Sequence, residues 1–334
     1  MPGPASLEEP RYDRIRVAIG DGDAAVATGL KEALHERGIV EVILCETTER
    51  LYRALDDEIV DLVLYDYHML GDQFVEVMQR IRRKEVGQNP FVTIVATIRE
   101  STAETVRRLI DAGVDDLIRM PASIDRVFES IANSARRRRP FVITYEYVGP
   151  QRPVRNARKR IAEPTPGIRV PNTLKSRAFD GVSEESVRAL VEAAVKKMVD
   201  QQLASCGNEI GNLAKRVAET YASIDGSERN QQMRGSLNRM AVVANDLRSK
   251  ATGTSSESVS DLAATLIPIT QRILDAPAGR ALIEVQLLSQ LAAAVRCALQ
   301  IEGEAEPAIH QITETVGDFT RRHAPDPAHP HHHH

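Results

Sequence analysis

Between residues 14 and 139, short apolar runs alternate with amphipathic stretches. The runs at 15–19, 40–44, 60–65, 91–97 and 116–120 are nearly continuous, which predicts strands covered on both faces. The stretches at 24–37, 48–56, 74–84, 102–112 and 124–137 space their apolar residues three and four apart, as a helix with one buried stripe requires. Gly38 and Gly113 stand where a helix C-terminus calls for left-handed backbone. Strict strand–helix alternation with short connections predicts an α/β doubly wound, five-stranded parallel sheet over residues 14–139.

The pattern then changes. Residues 140–179 hold Pro140, Pro150, Pro153, Pro164, Pro166 and Pro171 together with Arg152, Arg155, Arg158, Lys159 and Arg160. Proline fixes φ and removes a donor, so this stretch reads as a Pro/Arg-rich linker. Within it Phe141 to Tyr147 alternates and could pair as a strand. From Gly181 onward the period is helical. Ser183 precedes Glu184 and Glu185, an N-cap with acid in the first turn. A stripe of Leu203, Cys206, Ile210, Leu213, Val217, Thr220 and Ile224 follows, then Met233, Leu237, Met240 and Leu247. Val259, Leu262, Leu266, Ile269 and Ile273 mark a third helix that Pro268 kinks or splits. Residues 281–301 are apolar on most faces and should be central, and Ile309, Ile312, Val316 and Phe319 mark the last helix. Residues 180–323 therefore predict a separate all-α helical bundle of five helices, and the His-rich residues 324–334 a frayed tail or purification tag. The first stripe reads as bundle core; a coiled-coil seam joining a homodimer is the alternative.

Composition narrows the setting. The net charge of −4 over 334 residues provides no global pull towards nucleic acid or anionic lipid. Cys45, Cys206 and Cys297 are odd in number, scattered and without metal-ligand spacing, which fits a reducing cytoplasm. The first residues are polar, without a signal-peptide core, and no uninterrupted apolar stretch reaches the length of a membrane span.

Candidate chemistry centres on Asp66, a carboxylate closing the apolar run 60–65. A charge at the end of a buried strand belongs at the carboxyl edge of the sheet, where α/β domains place their sites. With Val17-Ala18-Ile19-Gly20-Asp21-Gly22-Asp23, Leu62-Val63-Leu64-Tyr65-Asp66-Tyr67-His68-Met69-Leu70-Gly71, Val95-Ala96-Thr97 and Leu117-Ile118-Arg119-Met120-Pro121, residues 14–135 resemble the receiver domain of bacterial response regulators. The resemblance implies an aspartate, Asp66, that accepts a phosphoryl group, and a hydroxyl, Thr97, that binds one of its oxygens. It also implies Mg²⁺ held by Asp66, an acid near Asp21 and the backbone carbonyl of His68, because the metal offsets repulsion between two anions. The implied partner is a histidine kinase or another signalling protein.

Several positions depart from that family. Its second consecutive acid is Gly22, its lysine before the proline is Met120, its gating aromatic is Leu117, and the proline four residues past the nucleophile is Leu70. Arg119 should point to the face opposite Met120. The expectation is an atypical, phosphorylation-impaired receiver controlling a helical protein-interaction domain, with no enzymatic turnover and weak magnesium binding if any. The alternative is a phosphorylation-competent response regulator at Asp66.

Other signals weigh less. Arg136–Arg139 could contact nucleic acid, but a charge run beside prolines is usually a solvated linker, and no DNA-binding motif follows. Ser205, Glu209 and Asn212 are spaced as in a helix of the chemotaxis phosphatases that dephosphorylate receivers; otherwise Gly207 and Gly211 simply let another helix approach. His310, between apolar stripe positions, reads as a surface or edge histidine.

Overall fold

The computed structural model describes residues 11–71, 73–100, 102–152, 167–223, 227–254, 256–276 and 281–300. The chain divides into two compact units, the first ending at Met198 and the second starting at Val199.

In the first unit β1 (Arg16–Gly20), β2 (Glu41–Leu44), β3 (Leu62–Asp66), β4 (Thr93–Ile98) and β5 (Asp116–Arg119) form one parallel sheet in the order β2-β1-β3-β4-β5. Between them run α1 (Ala24–Glu36), α2 (Thr48–Asp57), the short α3 (Tyr67–Leu70), α4 (Gln73–Arg82) and α5 (Ala103–Asp111), and α6 (Ile124–Arg136) follows β5. The expected helix at 74–84 is thus preceded by a separate turn carrying Tyr67 and His68.

Successive strand residues serve opposite faces. Val63 and Tyr65 pack with Phe74, Met78, Ile81 and Leu109, whereas Leu62 and Leu64 pack with Leu34, Val127 and Ile131. Both faces being covered, no strand residue needs to be polar, which explains the continuous apolar runs. Gly38 and Gly113 adopt φ of 90° and 86° at the ends of α1 and α5, a backbone that costs glycine little.

The stretch expected to be a linker is, where described, packed structure. β6 (Phe141–Ile143) and β7 (Val148–Pro150) form an antiparallel pair, and Phe141 exchanges backbone hydrogen bonds with Ile168 at 2.8 Å each way. The prolines do not interrupt pairing, since Pro140 precedes β6 and Pro150 closes β7. α7 (Thr173–Ala178) inserts Leu174 and Ala178 beside α1 and α6. Met198, Ala194 and Val195, in the first half of α8 (Glu184–Ser223), join Phe91, Phe141 and Ile143 in a further apolar cluster. These segments brace the amino ends of the strands. Arg82 lies fully buried there, donating to the carbonyls of Gly113 (2.9 Å), Pro90 (2.8 Å) and Val92 (2.7 Å) and to Asp115 (2.7 Å), with its guanidinium over the Phe141 ring. Arg177 lies 3.2 Å from buried Asp61 and 2.7 Å from Glu184. Residues 153–166, with Arg155, Arg158, Lys159 and Arg160, lie outside the described residues.

The second unit contains the rest of α8, α9 (Ser227–Ala251), α10 (Glu257–Asp275) and α11 (Leu282–Gln300). The expected stripes face inward: Leu203, Cys206, Ile210, Leu213 and Val217 on α8, Met233, Leu237, Met240 and Leu247 on α9, and Val259, Leu262, Leu266, Ile269 and Ile273 on α10 are all buried. Pro268 lies inside an unbroken α10. α11 was expected at the centre; it buries Val285, Leu288, Leu291 and Val295 but exposes Leu282, Ile283, Gln286, Gln290 and Ala293. Leu282–Leu299, though interrupted by Glu284 and Arg296, is long and apolar enough, by length and composition, to cross a membrane. Ile224, the last helix at 309–319, His310 and the His-rich end lie outside the described residues.

Candidate functional site at the carboxyl edge of the sheet

Asp66 ends β3 in register with Thr97 of β4, and both are buried, 4% and 3% exposed. The chain turns into α3 directly after Asp66, yet the Asp66 carboxylate caps none of its amides. It is left for other chemistry.

Asp21, 8% exposed, follows β1. Gly20 before it is dictated by the neighbouring strand: a Cβ there would fall 1.9 Å from the Tyr65 ring. Asp21 accepts the Asp23 N–H at 2.8 Å through Oδ1. Asp23 itself is spent as the N-cap of α1, accepting the N–H groups of Ala25 (2.9 Å) and Val26 (3.4 Å). Burial raises the pKa of Asp21 above the usual carboxylate range, the Asp66 charge adds to this, and the Asp23 amide and Arg99 oppose it. Two acids therefore share one buried pocket.

Arg99 is the residue that sequence reasoning passed over. It is exposed, two positions beyond Thr97, and its charge reaches Asp21. Its N–H donates to His68 Nε2 at 3.4 Å, so the His68 ring ties α3 to the end of β4. Alternation along β4, which puts Thr97 and Arg99 on one side, was the available signal.

Met120 follows β5, donates its N–H to the Ile98 carbonyl at 2.8 Å, and packs against the cluster beneath α1 and α6. Leu117 packs on the other face and Arg119 is exposed. No ammonium group therefore stands at the Met120 position. The metal donors are similarly few. Gly22 offers none, Asp23 is engaged, and among the described residues no three His, Cys, Asp or Glu side chains gather to hold an ion. Asp21, Asp66 and the His68 carbonyl are the donors left for Mg²⁺; with Gly22 at the family's second acid, this set fits a firmly held divalent ion poorly.

Residues 17–132 match the family described as "Response regulator receiver domain". This stretch is a receiver domain of two-component signalling. The chain is similar in structure to the Vibrio cholerae chemotaxis protein CheY4, at 15% identity and a TM-score of 0.33 over 36% of this chain and 97% of that one. It is also similar to a CheY-like receiver domain protein of Methanospirillum hungatei, at 21% identity and a TM-score of 0.33, over 36% and 92% of the two chains. For a Thermotoga maritima response regulator the values are 22%, 0.32, 36% and 96%. No curated protein matches the chain. Receiver domains work through contact with other signalling proteins, and the helical region follows this one in the same chain.

Glu209 and Asn212, the candidate phosphatase pair, line an open groove on the second unit with Lys215, Arg216, Glu219 and Arg239. Glu209 accepts from Arg239 Nε at 2.7 Å and lies 3.9 Å from Arg216. Gly207 and Gly211 face α11: added Cβ atoms would come within 2.7 Å of Leu299 Cδ1 and 2.6 Å of Arg296 Cδ. Close helix packing accounts for both glycines.

Proposed function

We propose that this receiver is phosphorylation-impaired and switches through protein contact, passing its state to the helical region, which acts by binding and without catalytic turnover. The observation that carries the reading is the pocket's charge. Asp21 and Asp66 are buried together beside Thr97, with apolar Met120 where the phosphate-pairing cation would stand and Gly22 where a metal-binding acid would stand. A phosphoryl dianion entering this pocket meets two carboxylates and one exposed arginine. Magnesium, without an acid at the Gly22 position, is held weakly. The free thiols Cys45, Cys206 and Cys297 suit a reducing cytoplasm. The partner is a histidine kinase or another signalling protein that reads the receiver surface.

Incubation with acetyl phosphate and Mg²⁺ tests the reading, with Asp66→Ala as control. The expected outcome is no stoichiometric label; Asp66-dependent labelling of the whole population overturns it.

The influence of Arg99 on Asp21 favours a second reading, phosphorylation at Asp66 with Arg99 as the cation. That reading requires labelling that depends on both Asp66 and Arg99, so Arg99→Gln separates the two. Phosphatase action is disfavoured by the ion pair that occupies Glu209. It requires that Asn212→Ala slow loss of phosphate from a partner receiver.

A further inference from the structure

At the amino edge of the sheet, opposite Asp66, a cleft of about 290 Å³ opens between the start of β5, the end of α6 and Pro150. Arg126, Arg137, Arg138 and Arg139 line it together with the carboxylates Asp115 and Asp116, so four cations face two acids. We propose that this cleft binds an oligophosphate anion.

The carboxylates in and beside the cleft are already committed. Asp115 receives Arg82 (2.7 Å) and the Ile94 N–H (2.9 Å), and lies 3.7 Å from Arg138. Asp116 receives the Ser130 hydroxyl at 2.5 Å and the Leu117 N–H at 2.9 Å. Glu129 meets Arg126 loosely at 3.4 Å, both well exposed. One carboxylate, Asp115, is therefore divided between two buried guanidiniums, and Arg137 and Arg139 have no carboxylate partner among the described residues.

Arg138 is the centre of the imbalance. Its side chain is 7% exposed, donating to the carbonyls of Pro171 (2.9 Å) and Val92 (3.4 Å), while its buried Nε finds no acceptor among the described residues. Burial lowers its pKa to about 10, Asp115 resists the fall and Arg82 adds to it. Arg152, which donates to the Val114 carbonyl, also has a buried Nε without an acceptor among the described residues, and its pKa is lowered by burial with Arg139 and Arg82 contributing. Removing cations from water without matching anions is costly, so an anion arriving here gains more than it would at a solvated surface. Guanidinium forks match the oxygens of phosphate in pairs. Several forks around a cleft of this size suit linked phosphates better than a single one. The arginine run 136–139 thus acquires a role that a solvated linker would not give it.

The test uses the full chain. Thermal unfolding and titration calorimetry are run with sodium tripolyphosphate, with sodium chloride at matched ionic strength as reference. The expected result is saturable stabilisation by tripolyphosphate, unchanged in Asp66→Ala and weakened about tenfold or more in the Arg137→Gln, Arg139→Gln double variant, the loss of about one charge-assisted contact. Both substituted side chains are exposed, so the variant retains its fold, and its unfolding midpoint in chloride verifies this. A nucleoside triphosphate binding as tightly as tripolyphosphate identifies the phosphate chain as the ligand; tighter binding adds a nucleoside to it. No saturation, a shift matched by chloride, a response unaltered in the double variant, or binding of a single-stranded oligonucleotide without tripolyphosphate overturns the proposal.

Discussion

If charge shortfall silences Asp66, restoring the charges should awaken it. The perturbation is Gly22→Asp combined with Met120→Lys. Both positions have room. A Cβ at Gly22 would lie 3.9 Å from its nearest neighbour, Met69, an ordinary contact distance. Met120 is only partly buried, so a lysine can run its stem over the same apolar cluster and keep its ammonium at the pocket rim. The first change supplies a further carboxylate donor beside Asp21, Asp66 and the His68 carbonyl, and the second a cation for a phosphoryl oxygen. Each restored charge-assisted contact contributes about 1.5–3 kcal/mol. Two together contribute about 3–6 kcal/mol, or about two to four orders of magnitude in rate at about 1.4 kcal/mol per decade. The assay is the initial rate of Asp66-dependent labelling by acetyl phosphate with Mg²⁺. Each single variant should fall between wild type and double variant. Wild-type labelling within a fewfold of a folded double variant would refute the electrostatic argument.

Other outcomes follow from the amino-edge brace and the bundle. Arg177 Nε lies 3.2 Å from Asp61 Oδ1, but neither atom is aligned for a hydrogen bond, so charge alone holds that contact. Burial pushes the Asp61 pKa up to about 6 despite Arg177, the Arg16 N–H and Thr173. In the unfolded chain Asp61 titrates near ~3.9, so between these values the folded state holds more protons and this group's stabilisation fades as pH rises. It is fully present below about pH 4 and gone above about pH 6; urea unfolding should show the difference, at most about 3 kcal/mol, and Asp61→Asn should remove it. Arg82→Leu should destabilise the first unit by about 3–5 kcal/mol in the same assay, because Asp115 and three carbonyls lose their buried donor. A fragment ending at residue 139 should melt well below one ending at residue 198, since it loses β6, β7 and α7 and uncovers Phe91; equal melting temperatures would contradict the brace. Gly207→Ala should destabilise the bundle by about 1–3 kcal/mol on thermal unfolding, as in any overpacked core, while Gly211→Ala, facing the flexible Arg296 side chain, should cost less.

The sheet was legible because its physics is local. A strand covered on both faces must be nearly apolar throughout, and residues 62–65 and 94–96 say so in consecutive letters. Asp66, Asp21 and Thr97 were legible as candidates because charge or hydroxyl at strand ends contrasts with those runs. The brace was not, because its signals are pairwise and distant. Arg177 contacts the Ile59 carbonyl across 118 residues of sequence, and Arg16 reaches Glu184 across 168. Nothing near Pro171 or Arg138 announces a buried partner, so proline and charge read as solvated chain. Arg99 escaped for a related reason: only the closeness of β4 to β1 and β3 gives a surface arginine meaning for Asp21.

The two ends of the receiver sheet have opposite electrostatic problems. At the carboxyl edge two buried acids have only the exposed Arg99 beside them; at the amino edge the buried guanidiniums of Arg82 and Arg138 share one carboxylate, Asp115. A domain selected only for stability would replace such groups with apolar ones at little cost. Their retention makes sense where something from outside supplies the missing charge. For the Asp66 pocket, on the function proposed above, that would be a partner side chain or, in a variant with the cation restored, a metal-bound phosphoryl group. For the Arg138 cleft it is a soluble anion. Because Asp61, Arg177 and Glu184 join the same amino edge to the start of α8, an anion beside Arg138 would stiffen the structure that holds that helix. Slowed amide exchange in β6, α7 and residues 184–198 on adding tripolyphosphate, absent in the Arg137→Gln, Arg139→Gln variant, is the signature expected; protection confined to α6 would mean that the cleft binds without tightening the brace.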